Sequence, residues 1–413
     1  MAAIQGAVGS NNYATNARFI DGEGKIYFNP KRMDTPLISF LGMNGRTSSE
    51  LVGEATGGTT KISGQALSKR QVFNAQYDIF TDEVLENATQ INFAAGYAAG
   101  DVSIVVDDGS LFTANDTVLV PRTSEVFFVS ARSGNTLTIV RGVGSTAAAL
   151  VDNDYIARIA SAFAVNSLSG TAKSTQVARD YNYTQIFRTA IQIGRTDKDS
   201  KLNYSPKSDE TRLLSEGALE HLRSIERAFW YGTRSESAAI DSSGARQRTT
   251  GGIFQFITQN VMDISASGGT LTAPIMDAFA EMVFDKGSKT KLLFCSPRFL
   301  SKLNGLALNL IRITPKESAF GLDLMKYVTS HGEFILVRTP HFGDLGFGVK
   351  YAGTAVAIDP DQVKYAYLNQ AENELRTNIQ ENDRDGVKHE YLAECGLMLA
   401  NQTAHGIIQG VAA

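Results

Sequence analysis

The chain has 413 residues, more than the ~100–200 of a usual domain, so two or three structural units are expected. Hydrophobic residues make up 43% and charged residues 20%, the balance of a globular chain with a real core to bury. Lys plus Arg number 39 against 43 Asp plus Glu; a net charge of −4 excludes a dedicated nucleic-acid binder and leaves copies repelling one another only weakly.

The N-terminus (Met1-Ala2-Ala3-Ile4-Gln5-Gly6) has neither the basic start nor the apolar core of a signal peptide, and no apolar run approaches the ~18 residues of a membrane span. Synthesis and folding in a cytoplasm are expected. Residues 1–35 are first polar and Gly/Asn-rich, then carry Phe19-Ile20 and Ile26-Tyr27-Phe28, an extended arm with sticky residues and no core of its own. Asp34-Thr35-Pro36-Leu37 reads as a capped helical turn, with Asp34 or Thr35 as N-cap and Pro36 at the first helical position.

From about residue 67 the pattern becomes extended. Residues 72–85 hold Phe73, Tyr77, Ile79, Phe80 and Val84, side chains suited to a strand. Residues 181–193 nearly alternate apolar and polar, which predicts a half-exposed ribbon ended by Gly194. Between these runs, residues 92–162 contain five short strand candidates: 102–106, 117–120, 126–130, 136–140 and 155–159. Turn signals such as Asp107-Asp108-Gly109 and Ser133-Gly134-Asn135 separate them, so this block reads as a small sandwich or barrel inserted into a long loop.

A helix is predicted over 208–231, with Ser208 as N-cap and Asp209 and Glu210 favourable to its dipole. Leu214, Ala218, Leu222, Ile225 and Phe229 form one apolar stripe, and Glu216, Glu220, Arg223 and Arg227 lie on the remaining face. A polar loop follows at 233–250. The remainder mixes helices (272–284, and one starting at Ser296-Pro297) with strands near 291–295, 334–338, 355–358, 363–368 and 388–400. The class is therefore α+β.

The sequence carries no motif of a catalytic, metal or cofactor site. The five histidines form no metal-binding pair, and His221 reads as a surface or interface residue. Ser330-His331-Gly332 is a turn rather than part of a triad, and residues 52–60 lack the Lys of a phosphate loop. Asp107-Asp108 and Asp152-Asn153-Asp154 miss the calcium-loop pattern and read as turns. Cys295 and Cys395 read as buried reduced thiols. No catalytic residue, cofactor or metal is assigned, and the chain is not read as an enzyme.

Several segments, in order, resemble a family of tailed-bacteriophage major capsid proteins. They are Asp34-Thr35-Pro36-Leu37, Asn182-Tyr183-Thr184-Gln185-Ile186-Phe187-Arg188, Ile225-Glu226-Arg227-Ala228-Phe229-Trp230-Tyr231-Gly232, Thr250-Gly251-Gly252-Ile253-Phe254, and the run from His389-Glu390-Tyr391-Leu392 to His405-Gly406-Ile407-Ile408. The inserted block, with Gly100-Asp101-Val102-Ser103 and Gly134-Asn135-Thr136-Leu137, is similar to blocks in members of the group. The resemblance implies the Hong Kong ninety-seven-like coat fold. It would comprise an N-terminal arm (1–48), an extended loop (49–91 and 163–196), an inserted β-domain (92–162), a peripheral domain (197–260) with the spine helix 208–231, and an axial domain with returning peripheral strands (261–413).

It further implies an icosahedral shell of hexamers and pentamers in the virion, assembled in the host cytoplasm around double-stranded DNA. A portal protein would sit at one vertex. The sequence shows no long cleavable N-terminal segment such as some members of the fold carry, which implies a separate scaffolding protein, or prior processing, against which the Met1 start speaks; a decoration protein and non-specific contact with packaged DNA complete the expected partners, with no membrane. Phe19, Tyr27, Phe28, Tyr77, Phe80, Tyr183 and Phe187 are the candidate assembly contacts. Cross-linking through Lys61 or Lys69 is disfavoured for want of a catalytic carboxylate. The alternative reading is an encapsulin-type bacterial nanocompartment.

Overall fold

The structure, a computed structural model, describes residues 35–41, 68–82, 86–167, 170–199, 209–237, 245–310, 313–319, 322–343, 348–369 and 371–412. Two compact units divide the chain: one runs to Phe80 and resumes at Arg179, and the other is Thr81–Ala178. Ser208 and most of the arm lie outside the described residues.

The first unit contains a seven-stranded sheet in the order Val261–Asp263, Gly406–Gln409, Ala355–Ile358, Thr290–Cys295, Glu333–Arg338, Leu322–Val328 and Ile313–Ala319. Its central strand Thr290–Cys295 runs parallel to Glu333–Arg338 and antiparallel to Ala355–Ile358. This strand is almost wholly apolar because both of its faces are covered. Leu292 and Phe294 enter one core with Ile335, Val337, Val356 and Ile358. Leu293 and Cys295 enter another with Leu336, Phe279 and Phe299, under the helices Ala273–Phe284 and Pro297–Leu310. Ser296 caps the second of these helices, its hydroxyl accepting the Phe299 N–H at 3.1 Å.

Lys291 of the central strand is fully buried, and its ammonium donates to the carbonyls of Val283, Lys286 and Ala404 at 2.6–2.7 Å. Two of those carbonyls stand at the C-terminal end of Ala273–Phe284, where a cation suits the helix dipole. Burial nevertheless lowers the Lys291 pKa to about 8. Next to it, buried His405 accepts the Asp359 N–H on Nδ1 and faces the Ala400 carbonyl with Nε2; burial lowers its pKa to about 4, so it is neutral near pH 7.

A second sheet orders Ser68–Val72, Val363–Leu368, Val387–Leu399 and Gln185–Ile193, with Glu374–Arg376 also on Val387–Leu399. Here the structure corrects the sequence reading. Residues 185–193 are not part of a free ribbon: all nine pair antiparallel with Val387–Leu399, and the spine helix packs on them. Half-exposure arises from one covered face, and period-2 alternation reads the same whether a helix or another subunit does the covering. Phe187 and Ile193 face inward.

The spine helix spans Asp209–Tyr231, 23 residues and about 35 Å at 1.5 Å per residue. Gly217 lets it approach the sheet, since a Cβ there would collide with Ile191. Tyr391 donates from its hydroxyl to the Leu214 carbonyl at 3.3 Å. Leu214 and Ala218 are half-buried, while Ile225, Glu226, Phe229 and Trp230 are fully enclosed. The stripe thus widens along the helix until its last turns are surrounded. Trp230 meets Phe342 and Phe294 edge-on at 4.7 and 5.2 Å. His221 is a core residue rather than a surface one: its Nδ1 lies 3.1 Å from the Thr189 hydroxyl, and burial lowers its pKa.

The short helix Pro36–Leu41 begins where Thr35 offers its carbonyl to the Ser39 N–H, so Thr35 is the N-cap and Pro36 the first helical residue. Its free N–H groups at Leu37 and Ile38 donate to the two oxygens of Glu226, at 3.0 and 2.9 Å. Trp230 Nε1 donates to the same carboxylate at 3.2 Å. Burial pushes the Glu226 carboxyl up to about 7 despite these three donors. The sign follows: from its unfolded value near 4.5 up to about 7, the folded state holds a proton the unfolded state has lost, so this group's contribution weakens as pH rises across that window.

The second unit is a six-stranded sheet ordered Ala88–Gln90, Tyr155–Ser161, Asp116–Val120, Glu125–Ser133, Thr136–Val140 and Ser103–Val105. Its edges meet: Ile91 bridges Val106, Asn92 N–H donates to Val105 and Asp107 N–H to Gln90, both at 3.0 Å. The sheet is a closed barrel around Ile104, Val118, Phe127, Val129, Leu137 and Ile156. The unit extends beyond 92–162 because Ala88–Gln90 closes the sheet and Lys173 reaches the buried carboxylate of Asp116. Burial opposes ionisation of Asp116, but Lys173, Ser161, the Thr113 N–H and Arg158 outweigh it and hold its pKa at about 2.

Two outcomes are expected. Glu226→Ala leaves three buried N–H donors without an acceptor and should destabilise the first unit by about 3 kcal/mol, read by urea unfolding. Asp116→Asn strands Lys173 and Arg158 and should cost the second unit about 3 kcal/mol at pH 7. The wild-type contribution of Asp116 is complete above the unfolded value of 3.8 and is lost as pH falls through about 2, so the gap between the two proteins should close in acid.

Candidate assembly surfaces

Strand Gln76–Thr81 pairs with Ala178–Tyr183 as a two-stranded ribbon, and the second unit is inserted in the chain between them. Arg179 and Asp78 pair across it at 3.0 Å. The ribbon is locked at its root by one buried amide. Asn182 donates through Nδ2 to the carbonyls of Leu397 (2.7 Å) and Gly251 (3.1 Å), and its Oδ1 accepts the N–H of Gly251 and of Tyr183 at 2.8 Å. Tyr77 sends its hydroxyl to the same Leu397 carbonyl at 2.8 Å, and burial raises its pKa. Gly396 makes this possible: a Cβ there would lie 2.5 Å from the Tyr77 hydroxyl. Arg234 adds a clamp, binding Asp180 at 2.6 Å and covering the Tyr181 ring at 4.1 Å.

The predicted contacts divide accordingly. Tyr77 and Phe187 are buried in the first unit's own cores, so neither has a free surface to offer a neighbour. Tyr183 is half-buried, edge-on to Tyr181 at 5.6 Å. Phe80 is 66% exposed, and beside the ribbon Phe73 and Ile186 are also exposed. Phe19, Tyr27, Phe28 and Lys61 lie outside the described residues. Lys69 pairs with Glu372 at 2.6 Å. Of the predicted contacts among the described residues, Phe80 is thus the one that stands exposed, on a ribbon with a hydrogen-bonded polar root.

A cavity of about 280 Å³ lies against the root, lined by Thr184, Ile186, Arg246, Arg248 and Glu394 among others. Its charges are engaged: Arg246 and Arg248 pair with Glu236 at 3.4 and 2.9 Å, and Glu394 accepts the Thr184 hydroxyl at 3.0 Å. Among the described residues no three His, Cys, Asp or Glu side chains converge as metal ligands, and no helix is long and apolar enough to cross a membrane. Both cysteines are buried, and burial pushes the Cys395 thiol up to about 12, far from a reactive thiolate.

Asn182, Glu226 and Arg234 were not singled out from the sequence as positioning residues. The only local signal was a buried-strand context around a polar amide, and buried amides are retained where they are fully bonded.

The family model described as SU10 major capsid protein matches residues 10–412. A "Major capsid protein" of Pseudomonas phage PaMx41 is 25% identical over 286 residues, spanning 66% of this chain and 66% of that relative. Among solved structures, one from Mycobacterium phage Bobi is 9% identical with a TM-score of 0.42, covering 88% of this chain and 94% of that one. A holo-encapsulin complex from Synechococcus elongatus is 11% identical with a TM-score of 0.39, covering 57% and 78%.

Asn182→Ala is expected to strand the Gly251 and Tyr183 N–H groups and to take a donor from the Gly251 carbonyl, lowering stability by about 3 kcal/mol in urea unfolding. Proteolysis should open first at the ribbon.

Proposed function

The chain belongs to the SU10 major capsid protein family, which makes it a bacteriophage coat subunit, and we propose that many copies close into an icosahedral head shell around double-stranded DNA. The observation that carries this reading is a family match running from residue 10 to residue 412, through both structural units. Exposed Phe80 on the ribbon supports it, since a coat subunit works through apolar anchors presented to its siblings.

In this reading the subunits form hexamers and pentamers and perform no catalytic step. Contacts of ordinary size, about 1,200–2,000 Å² each, sum over a closed lattice into a stable container. The arm, with Phe19, Tyr27 and Phe28, and the ribbon, with Phe80 and Tyr183, reach neighbouring copies. A portal protein occupies one vertex, a separate scaffolding protein guides assembly in the host cytoplasm, and a decoration protein joins outside. Contact with DNA is non-specific and confined to the inner face. An encapsulin-type compartment would enclose a protein cargo instead; the family match favours the phage reading.

Negative-stain microscopy of the expressed chain should show closed shells. Removing residues 1–30 should leave folded subunits that no longer close, with at least a tenfold loss of particles on the order of what losing a hot-spot cluster implies. Normal particles from that deletion would defeat the arm's role.

A further inference from the structure

The inserted barrel carries a row of apolar, half-buried side chains on its outer face as well as an apolar core. Strands Asp116–Val120 and Glu125–Ser133 carry Val118-Leu119-Val120 and Val126-Phe127-Phe128-Val129, apolar at both parities. Val118, Val120, Phe127 and Val129 fill the barrel, so Leu119, Val126 and Phe128 point outward. The pairing register sets them in rows. Leu119 stands opposite Val126 on one side and Ala157 on the other. Phe128 stands opposite Thr117 and Val140. No charged residue interrupts either row. Val140 is 52% and Tyr155, two residues before Ala157, 61% exposed. A sheet face that meets only water alternates polar residues outward, whereas one apolar on both sides is covered on both.

Charge narrows what covers it. Residues 81–178 hold ten carboxylates and five cations. All five cations are engaged within the unit: Arg122 with Asp154, Arg141 with Glu125, Arg158 and Lys173 with Asp116, and Arg132 on the Gly109 carbonyl. The insert thus carries a net charge of −5, ten carboxylates against five cations, and two inserts face to face would repel. The rest of the chain, with 34 cations and 33 carboxylates, carries no such excess and meets the acidic insert without repulsion. A charge-free apolar patch is moreover the character of a permanent interface core rather than of a transient contact.

We propose that the outer face of the insert, centred on Leu119, Val126, Phe128 and Val140, is a subunit contact surface covered in the shell by the non-inserted part of a neighbouring copy. This rests on the coat-subunit reading above.

The test is hydroxyl-radical footprinting of wild-type shells against unassembled subunits, with Phe128 and Tyr155 as reporters. Labelling of Phe128 should fall at least about fivefold on assembly, as for a side chain entering a dry interface core. Equal labelling in shells and subunits overturns the proposal while leaving the coat reading intact. So does protection that appears only in whole virions, which would assign the face to an accessory protein. No shells from the wild-type chain expressed together with a scaffolding protein would overturn both, and microscopy shows that before any labelling. In parallel, Phe128→Lys should abolish or strongly reduce closed shells. Leu119→Thr with Val126→Thr keeps strand-forming residues and the barrel core, and should lower shell yield while the insert stays protease-resistant. Wild-type yield from both variants counts against the proposal.

Discussion

A buried carboxyl that, among the described residues, meets N–H donors and no cation sits at the centre of this fold. Glu226 lies among Ile225, Phe229 and Trp230 on the enclosed end of the spine helix. Two of these donors come from the first turn of the short helix Pro36–Leu41, where helix geometry leaves backbone donors unpaired. Each group answers the other's need: the carboxylate would be costly to bury alone, and so would the two amides. The arrangement fixes where residues 35–41 enter the first unit, and Phe40 then packs edge-on to Phe294 of the central strand at 5.9 Å. The spine helix, the seven-stranded sheet and this short helix thereby share one core.

Buried polar groups with several partners recur at other places where chain segments meet. Asn182 joins the ribbon to the Gly251 turn and to Leu397; Lys291 joins a helix end to the Ala404 turn; Asp116 holds Lys173 and Arg158 in the insert. These knots give direction where apolar packing gives only adhesion. A coat subunit needs both. Its own cores hold it together, and its fixed exits decide which aromatic side chains remain on the surface.

Much of this was legible in local pattern. The spine helix lies within one residue of its predicted span, and the turn-separated strands at 116–120, 125–133, 136–140 and 155–161 were visible from their β-branched runs and Asx/Gly turns. The doubled apolar parity at 118–120 and 126–129 was equally readable, although its meaning depends on knowing that the barrel closes. By contrast, Tyr77 and Phe187 could not be told from Phe80 by sequence. All three are aromatic residues in extended runs, and the first two are buried only because Leu397, 320 residues from Tyr77, and the spine helix arrive over them.

Side-chain periodicity and turn chemistry, being properties of neighbours in the chain, determined the α+β class, the long helix and the existence of an inserted β-block. Tertiary structure alone decided which face of each strand is covered, that residues 185–193 belong to a sheet, and that Glu226 serves residues 188 and 189 positions away. A hydrogen bond between distant segments imposes no repeat on the sequence around it. Only the closed packing of the whole chain reveals its partner.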